Sequence, residues 1–168
     1  PVEVDNVQLR YYALPNIPAV ISPANNATGV SRNPTLTSSA YAGSLTHVNS
    51  DWEIWDAYPL TAQASNKIWS KDNDTTNMTS IVVNTANGTF ANALSGKDKL
   101  GPVINYWVRV RYQNSVGDSA WSTSNLFTPS VNEVPVTPVN TAPANNATNQ
   151  ALRPQLQSSV YSDTNNDA

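Results

Sequence analysis

Apolar and polar residues alternate over residues 104–112, where Ile104, Tyr106, Val108, Val110 and Tyr112 are interleaved with Asn105, Trp107, Arg109 and Arg111. A period of two sends successive side chains to opposite faces, so this stretch predicts a long strand with one face buried. The chain then passes through Asn114, Ser115, Val116 and Gly117, which suit tight-turn geometry, and returns in a run ending at Leu126 and Phe127, predicting a hairpin. A sheet face this apolar needs a second layer, so the remaining chain is expected to supply the opposing sheet of a β-sandwich.

Val2, Val4 and Val7 alternate weakly ahead of Pro15 and Pro18, whose fixed φ favours stiff, extended backbone, so residues 1–19 read as a lead-in strand or linker. Pro23 opens a turn cluster, Pro34 sets a strand entry, and Leu36 is the first firm core position. In residues 50–57, Trp52 and Ile54 fall on one face and Asp51, Glu53 and Trp55 on the other, the pattern of a central strand with a core tryptophan. Ile68 and Trp69 make a short apolar segment, and the polar run after them, residues 70–77, reads as a loop. Residues 79–83, rich in β-branched side chains, predict another strand. Between residues 84 and 101, Asn87, Gly88, Gly96 and Gly101 surround Phe90 and Leu94, predicting a corner connection with one short helical turn at residues 90–94.

After Thr128, Pro129, Pro135, Pro138 and Pro143 stand in a segment with little bulk, a semi-rigid linker by composition. Residues 143–161 then repeat residues 23–41: PANNAT recurs intact, and Pro154, Leu156, Ser158, Ser159 and Tyr161 match Pro34, Leu36, Ser38, Ser39 and Tyr41. The offset is constant, 143 − 23 and 161 − 41 both giving 120, and it also carries Pro15 and Pro18 onto Pro135 and Pro138. The organisation expected is therefore a lead-in at 1–19, a sandwich at 20–130, a proline-rich linker at 131–142 and the opening of a second, incomplete repeat at 143–168. Two opening strands cannot bury their apolar faces alone. Together with Pro1 in first place, this leads to the expectation of a longer parent polypeptide, a string of sandwich beads, with coverage by a partner as the alternative.

Composition narrows the class. Twelve Pro against 6 Gly, with Asn, Ser and Thr in the gaps between apolar runs, suits an all-β chain, and 168 residues suffice for one sandwich rather than two. With no Cys, disulfides and thiolate metal sites are excluded. A net charge of −3 with 12% charged residues gives no basic footprint for nucleic acid or an anionic membrane. No apolar run in the sequence is long enough for a membrane-spanning helix or a signal peptide.

Tyr106, Val108, Arg109 and Val110, followed by Asn114, Gly117, Ser119, Trp121, Ser122 and Phe127, resemble the F and G strands of fibronectin type III domains, a likeness that extends over residues 20–130. The combination of PANN at 23–26, SDWEI at 50–54 and YWVRVR at 106–111 is most similar to the fibronectin-like repeats of bacteriophage tail, fibre and decoration proteins. The resemblance implies an all-β, fibronectin type III-like (Ig-like) β-sandwich in tandem repeat with proline-rich linkers. The chain departs from the animal modules in lacking their strand B tryptophan and any Arg-Gly-Asp tripeptide, so integrin recognition is not carried over.

If the strand of Trp52 neighbours that of Tyr106, as in such sandwiches, the outer sheet face carries Asp51, Glu53 and Trp55 beside Trp107, Arg109 and Arg111. Trp55, Trp107, Arg109, Arg111 and Trp121 are then candidate ligand-binding residues, planar guanidinium and indole groups able to grip a sugar or a neighbouring subunit. The plainer alternative is a self-satisfied surface, in which the arginines pair across strands with Asp51 and Glu53 and Trp121 covers an arginine. Each such contact contributes about 0.2–1 kcal/mol. Asp51 and Glu53 as a glycosidase pair would need a cleft, and same-face neighbours on a strand make a ridge. His47, the only histidine, has no cysteine with which to build a nucleophile and base relay. Asp72, Asn73 and Asp74, and Asp163 with Asp167, offer oxygen ligands for calcium but lack the glycine and glutamate spacing of a dedicated loop, and read as turns. Asn26, Asn73, Asn77, Asn87 and Asn146 begin N-glycosylation tripeptides and also read as turn residues.

The function implied by the resemblance is a non-enzymatic structural and adhesive module on the exterior of a phage virion, without cofactor or metal. Its expected partners are other virion proteins or copies of itself, with a host-surface glycan as a further candidate, and neither nucleic acid nor membrane insertion. The alternatives are a bacterial cell-surface adhesin or filament, and a spacer or carbohydrate-binding module of a secreted glycan-degrading enzyme.

Overall fold

The computed structural model describes residues 12–58, 63–131 and 135–163, and the chain divides into two compact units after Ser130. The strands of the first unit are β1 (Val20–Ser22), β2 (Ala27–Val30), β3 (Thr35–Ser38), β4 (Asn49–Trp55), β5 (Lys67–Asp74), β6 (Ser80–Val82), β7 (Thr89–Phe90), β8 (Tyr106–Gln113) and β9 (Asn125–Pro129). They make two open sheets, one in the order β1-β3-β6 and one in the order β2-β9-β8-β4-β5-β7. Neighbours run antiparallel except β2 and β9, which are parallel. Val20, Leu36 and Ile81 from the smaller sheet join Trp52, Trp69, Val108 and Phe127 from the larger in a single core cluster. This is an all-β architecture consistent with a β-sandwich.

The alternation read in the sequence governs β8, whose residues are buried and half-buried in strict turn from Tyr106 to Gln113. Each of its four buried side chains contributes about 1.5–3 kcal/mol over leaving it exposed. Ile104 does not belong to the pattern: it is 45% exposed, because the chain is still turning there. Val103 sits at φ 56°, and the Gly101 N–H donates to the Tyr106 hydroxyl at 3.0 Å. β4 is buried on both faces, with Trp52 and Ile54 in the core as expected.

The polar run after Trp69 is a strand as far as Asp74, and only residues 75–77 leave it as the expected loop. β5 continues through Asp74, with Ser70 and Lys71 opposite Glu53 and Trp52, because β4 supplies the ladder that polar side chains by themselves do not advertise. The strand expected at 79–83 is formed as β6, and its flanks still bond to the β3 region through Ser38 N–H to Thr79 O and Val83 N–H to Pro34 O. A single 3-10 turn at Asn92–Leu94 stands within the stretch predicted to carry one. Val20, ahead of Leu36, is already a core residue.

The hairpin after β8 is formed with an irregular return arm. The Asn114 carboxamide accepts from the N–H groups of Val116 and Gly117 at 2.8 and 3.2 Å and closes the turn. Between the turn and β9, two serines stand in for a regular ladder. Ser119 N–H donates to Tyr112 O at 2.8 Å while its hydroxyl accepts the Tyr112 N–H at 3.1 Å, and Ser122 does the same for Val110 at 2.9 and 3.0 Å.

Residues 1–11 of the expected lead-in lie outside the described residues. Pro15 and Pro18 are buried in the first unit, with Asn16 N–H bonded to Ala42 O at 2.8 Å. The second unit contains β10 (Asn140–Ala142) and β11 (Gln157–Ser158), paired antiparallel as Asn140↔Ser158 and Ala142↔Gln157. Subtracting 120 from each number gives Val20↔Ser38 and Ser22↔Thr37, the register of β1 with β3, including its irregularity. Bonds recur at the same offset: Val136 N–H to Ser162 O at 2.9 Å against Asn16 to Ala42, and Ser159 N–H to Val139 O at 2.7 Å against Ser39 to Ala19 at 2.8 Å.

Candidate functional site

The outer face of the larger sheet takes its geometry from the pairing of β4 with β8. Their register sets Asp51 opposite Arg111, Glu53 opposite Arg109 and Trp55 opposite Trp107. Period-two alternation on both strands puts all six on one face, so each carboxylate meets a guanidinium directly across the sheet.

Glu53 Oε2 accepts from Arg109 Nε and Nη2, both at 2.7 Å, and from the Trp55 indole N–H at 3.0 Å, while Oε1 faces Lys67 Nζ at 3.2 Å. Asp51 Oδ2 accepts from Arg111 Nε and Nη2 at 2.7 Å, and its other oxygen takes the Asn73 N–H at 2.6 Å. Arg111 Nη1 reaches Asp118 at 2.8 Å. Three carboxylates are thus matched by three cations. The Trp121 ring lies over both arginines, at 4.3 Å from Arg109 and 4.7 Å from Arg111, and Arg109 in turn lies 5.1 Å from the Trp55 ring. Ser119 and Ser122 hold the intervening residues against β8 and so set Trp121 above the guanidinium groups.

The result is a stack of ion pairs and rings. Of the five residues singled out from the sequence as a binding patch, Trp55, Arg109, Arg111 and Trp121 pack into one layer in which Trp55 is 6% exposed while the Arg109 and Arg111 side chains keep 13% and 31% of theirs. The reason is the opposition of acid and arginine in the ladder, which spends the donors internally. Trp107, opposite Trp55 in the ladder, is half-buried at the edge of this stack. It lies 6.2 Å from Tyr58, their rings inclined at 36°, and Leu126 is its partner across the sheet on β9. Tyr58 is 68% exposed, and beside the pair the exposed Asn105 accepts from the Thr128 hydroxyl at 2.7 Å. This end of the sheet carries the half-buried Trp107 and Thr128 beside the exposed Tyr58 and Asn105.

Sequence reading missed Tyr58, Lys67 and Asp118. Lys67 was legible in principle as the first residue of a strand flanking Glu53; Tyr58 follows the end of β4 in no pattern.

The other candidates are placed as follows. The Asp74 carboxylate accepts the N–H groups of Thr76 and Asn77 at 2.8 and 2.9 Å, closing a turn. Asp163 is bonded to the Tyr161 hydroxyl, and Asp167 lies outside the described residues. No group of three or more His, Cys, Asp or Glu able to hold a metal ion occurs among the described residues. His47 is stacked on Tyr41 with centroids 4.5 Å apart and meets Tyr112 at the same distance, its Nε2 at 2.9 Å from Asn49 O and 3.0 Å from Ser50 Oγ. Burial holds this imidazole below its ordinary pKa, partly offset by the bond to Asn49. Asn26, Asn73 and Asn146 sit at φ 64°, 52° and 62°, the left-handed turn conformation that asparagine tolerates. No protein-family model matches the sequence, and comparison with curated proteins finds no match.

Proposed function

We propose that this chain is a non-enzymatic structural and adhesive module built from tandem fibronectin type III-like sandwiches, part of a phage virion exterior such as a fibre, tail or capsid decoration. The observation that carries the tandem reading is the recurrence, at a constant offset of 120, of both the PANNAT turn and the hydrogen bonds that frame it. The charge-balanced outer face, in which Asp51, Glu53 and Asp118 are matched by Arg109, Arg111 and Lys67, supports the structural reading, since ion pairs made within the sheet leave less net charge to attract other surfaces. The phage assignment rests on the sequence resemblance.

Peptide-mapping mass spectrometry of native source material tests it. Peptides continuing the period, recovered together with major capsid or tail proteins, are the expected result. Isolation of the parent protein as a free monomer without particle proteins would sink the virion assignment.

A second reading, a carbohydrate-binding module, is favoured by one observation: the exposed Tyr58 ring beside the half-buried Trp107 ring, flanked by neutral amide and hydroxyl groups. Rings so placed stack on pyranose faces while amides and hydroxyls bond sugar hydroxyls. Glycan binding lost in Trp107→Ala but kept in Trp121→Ala would support it; no binding to any glycan on an array would remove it.

A further inference from the structure

In the first unit the turn after β1 grips β9. The Asn125 side-chain amide donates to Val20 O and Pro23 O at 3.2 and 3.0 Å. The Leu126 N–H donates to Asn25 Oδ1 at 2.9 Å, and the Asn26 N–H donates to Leu126 O at 2.7 Å. β2 then continues parallel to β9, with Ala27 beside Phe127 and Thr28 beside Thr128. One carbonyl of β1 and three groups of the turn after it thus read a strand of sequence Asn-Leu-Phe.

The second unit presents the same four groups 120 residues on: Asn140 O, Pro143 O, Asn145 Oδ1 and the Asn146 N–H. Its turn is built alike. Ala147 N–H bonds to Ala144 O at 3.0 Å as Ala27 does to Ala24, Asn146 repeats the positive φ of Asn26, and Asn149 at φ 57° replaces Gly29 at φ 66°. Here the turn borders a groove of about 540 Å³, lined among others by Val139, Asn140, Pro143, Asn145, Asn146 and Gln150. Leu156 is 78% exposed, where its counterpart Leu36 is fully buried.

We infer that this groove is a strand receptor. It takes an extended segment of β9 chemistry, an asparagine followed by two large apolar residues, lying parallel to the chain after Asn146 and supplied by sequence that continues the 120-residue period in the same polypeptide. The asparagine amide bridges the Asn140 and Pro143 carbonyls. The next residue exchanges bonds with Asn145 and Asn146, and the one after it turns inward toward Leu156. A second copy is the wrong occupant, because in each copy β9 is already held by these bonds in the first unit, with Phe127 fully buried. The inference rests on the tandem reading above.

The test appends a copy of residues 49–130 directly after Ala168, which keeps the period because 169 − 120 is 49. Amide hydrogen exchange at Asn146 is compared by NMR in the chain with and without the extension, alongside thermal unfolding. The expected result is a second cooperative transition, with exchange at Asn146 slowed at least about a hundredfold by the extension. That protection should be lost when the appended copy of Asn125 is replaced by alanine. If the extension folds but Asn146 exchanges as fast as without it, the receptor is overturned and the tandem reading stands. An extension that fails to fold overturns both. Concentration-dependent dimerisation of the unextended chain that protects Asn146 would overturn the same-polypeptide source in favour of a second copy.

Discussion

Glu53 is the residue on which the outer face turns. Its side chain is 8% exposed and answers Arg109, Lys67 and the Trp55 indole together. Removing one partner of a buried ion pair costs about 3–5 kcal/mol, far more than the pair contributes by forming. Glu53→Ala should therefore lower stability by about 3 kcal/mol in urea titration, while Trp107→Ala, at the open end of the sheet, should cost about 1 kcal/mol. Equal losses would contradict the division between the buried Glu53 network and the less buried end of the sheet. His47 sets an acid limit of another kind. The unfolded chain takes up its proton near 6.5 and the folded chain only below that, so stability is complete above 6.5 and falls as pH drops beneath it. Asp74 acts lower: burial pushes its carboxyl up, but the bonds from Asn77 and Thr76 and the Lys71 charge outweigh this, leaving it below 3.8. Replacing His47 with glutamine should flatten the stability profile between pH 7 and 5 and leave the loss below pH 4 unchanged, as read from urea midpoints.

At the scale of elements, β8 is held on one side by an ordinary ladder with β4 and on the other, for half its length, by serine hydroxyls. Ser122→Ala strips the Val110 N–H of its acceptor in a buried position and Ser119→Ala does so for Tyr112, each expected to cost about 1–3 kcal/mol by chemical denaturation. Threonine at either position keeps a hydroxyl and should recover most of the loss; no recovery would assign the cost to packing. β8 was legible because one face is apolar and the other is not, and the same alternation on β4 made the acid and arginine opposition readable once the two strands were taken as neighbours. The second half of β5 was illegible because its side chains are polar on both sides, so only the ladder with β4 makes it a strand. The serine arm carried no period at all. Tyr58, which gives Trp107 its aromatic neighbour, sits in a connection where residue type says nothing of direction.

For the whole molecule, the most telling pairing is the parallel one between β2 and β9, near opposite ends of the first unit's chain. A pull that draws the segment before β1 away from the segment after β9 runs along both strands in opposite senses. It loads the bonds of Asn25, Asn26, Asn125 and Leu126, and that from Ser130 N–H to Val30 O, in shear, so that they must fail together. The ladder of β4 with β5 is antiparallel, and force applied at Asn49 and Asp74, at its open end, would peel it one bond at a time. In single-molecule stretching, where rupture follows the unfolding barrier and not the equilibrium stability, attachment at residues 19 and 131 should give the higher force. Asn125→Ala should lower that force and leave the β4–β5 value alone. A clasp that ties the start of the unit to its end lets it bear tension applied across the two without opening.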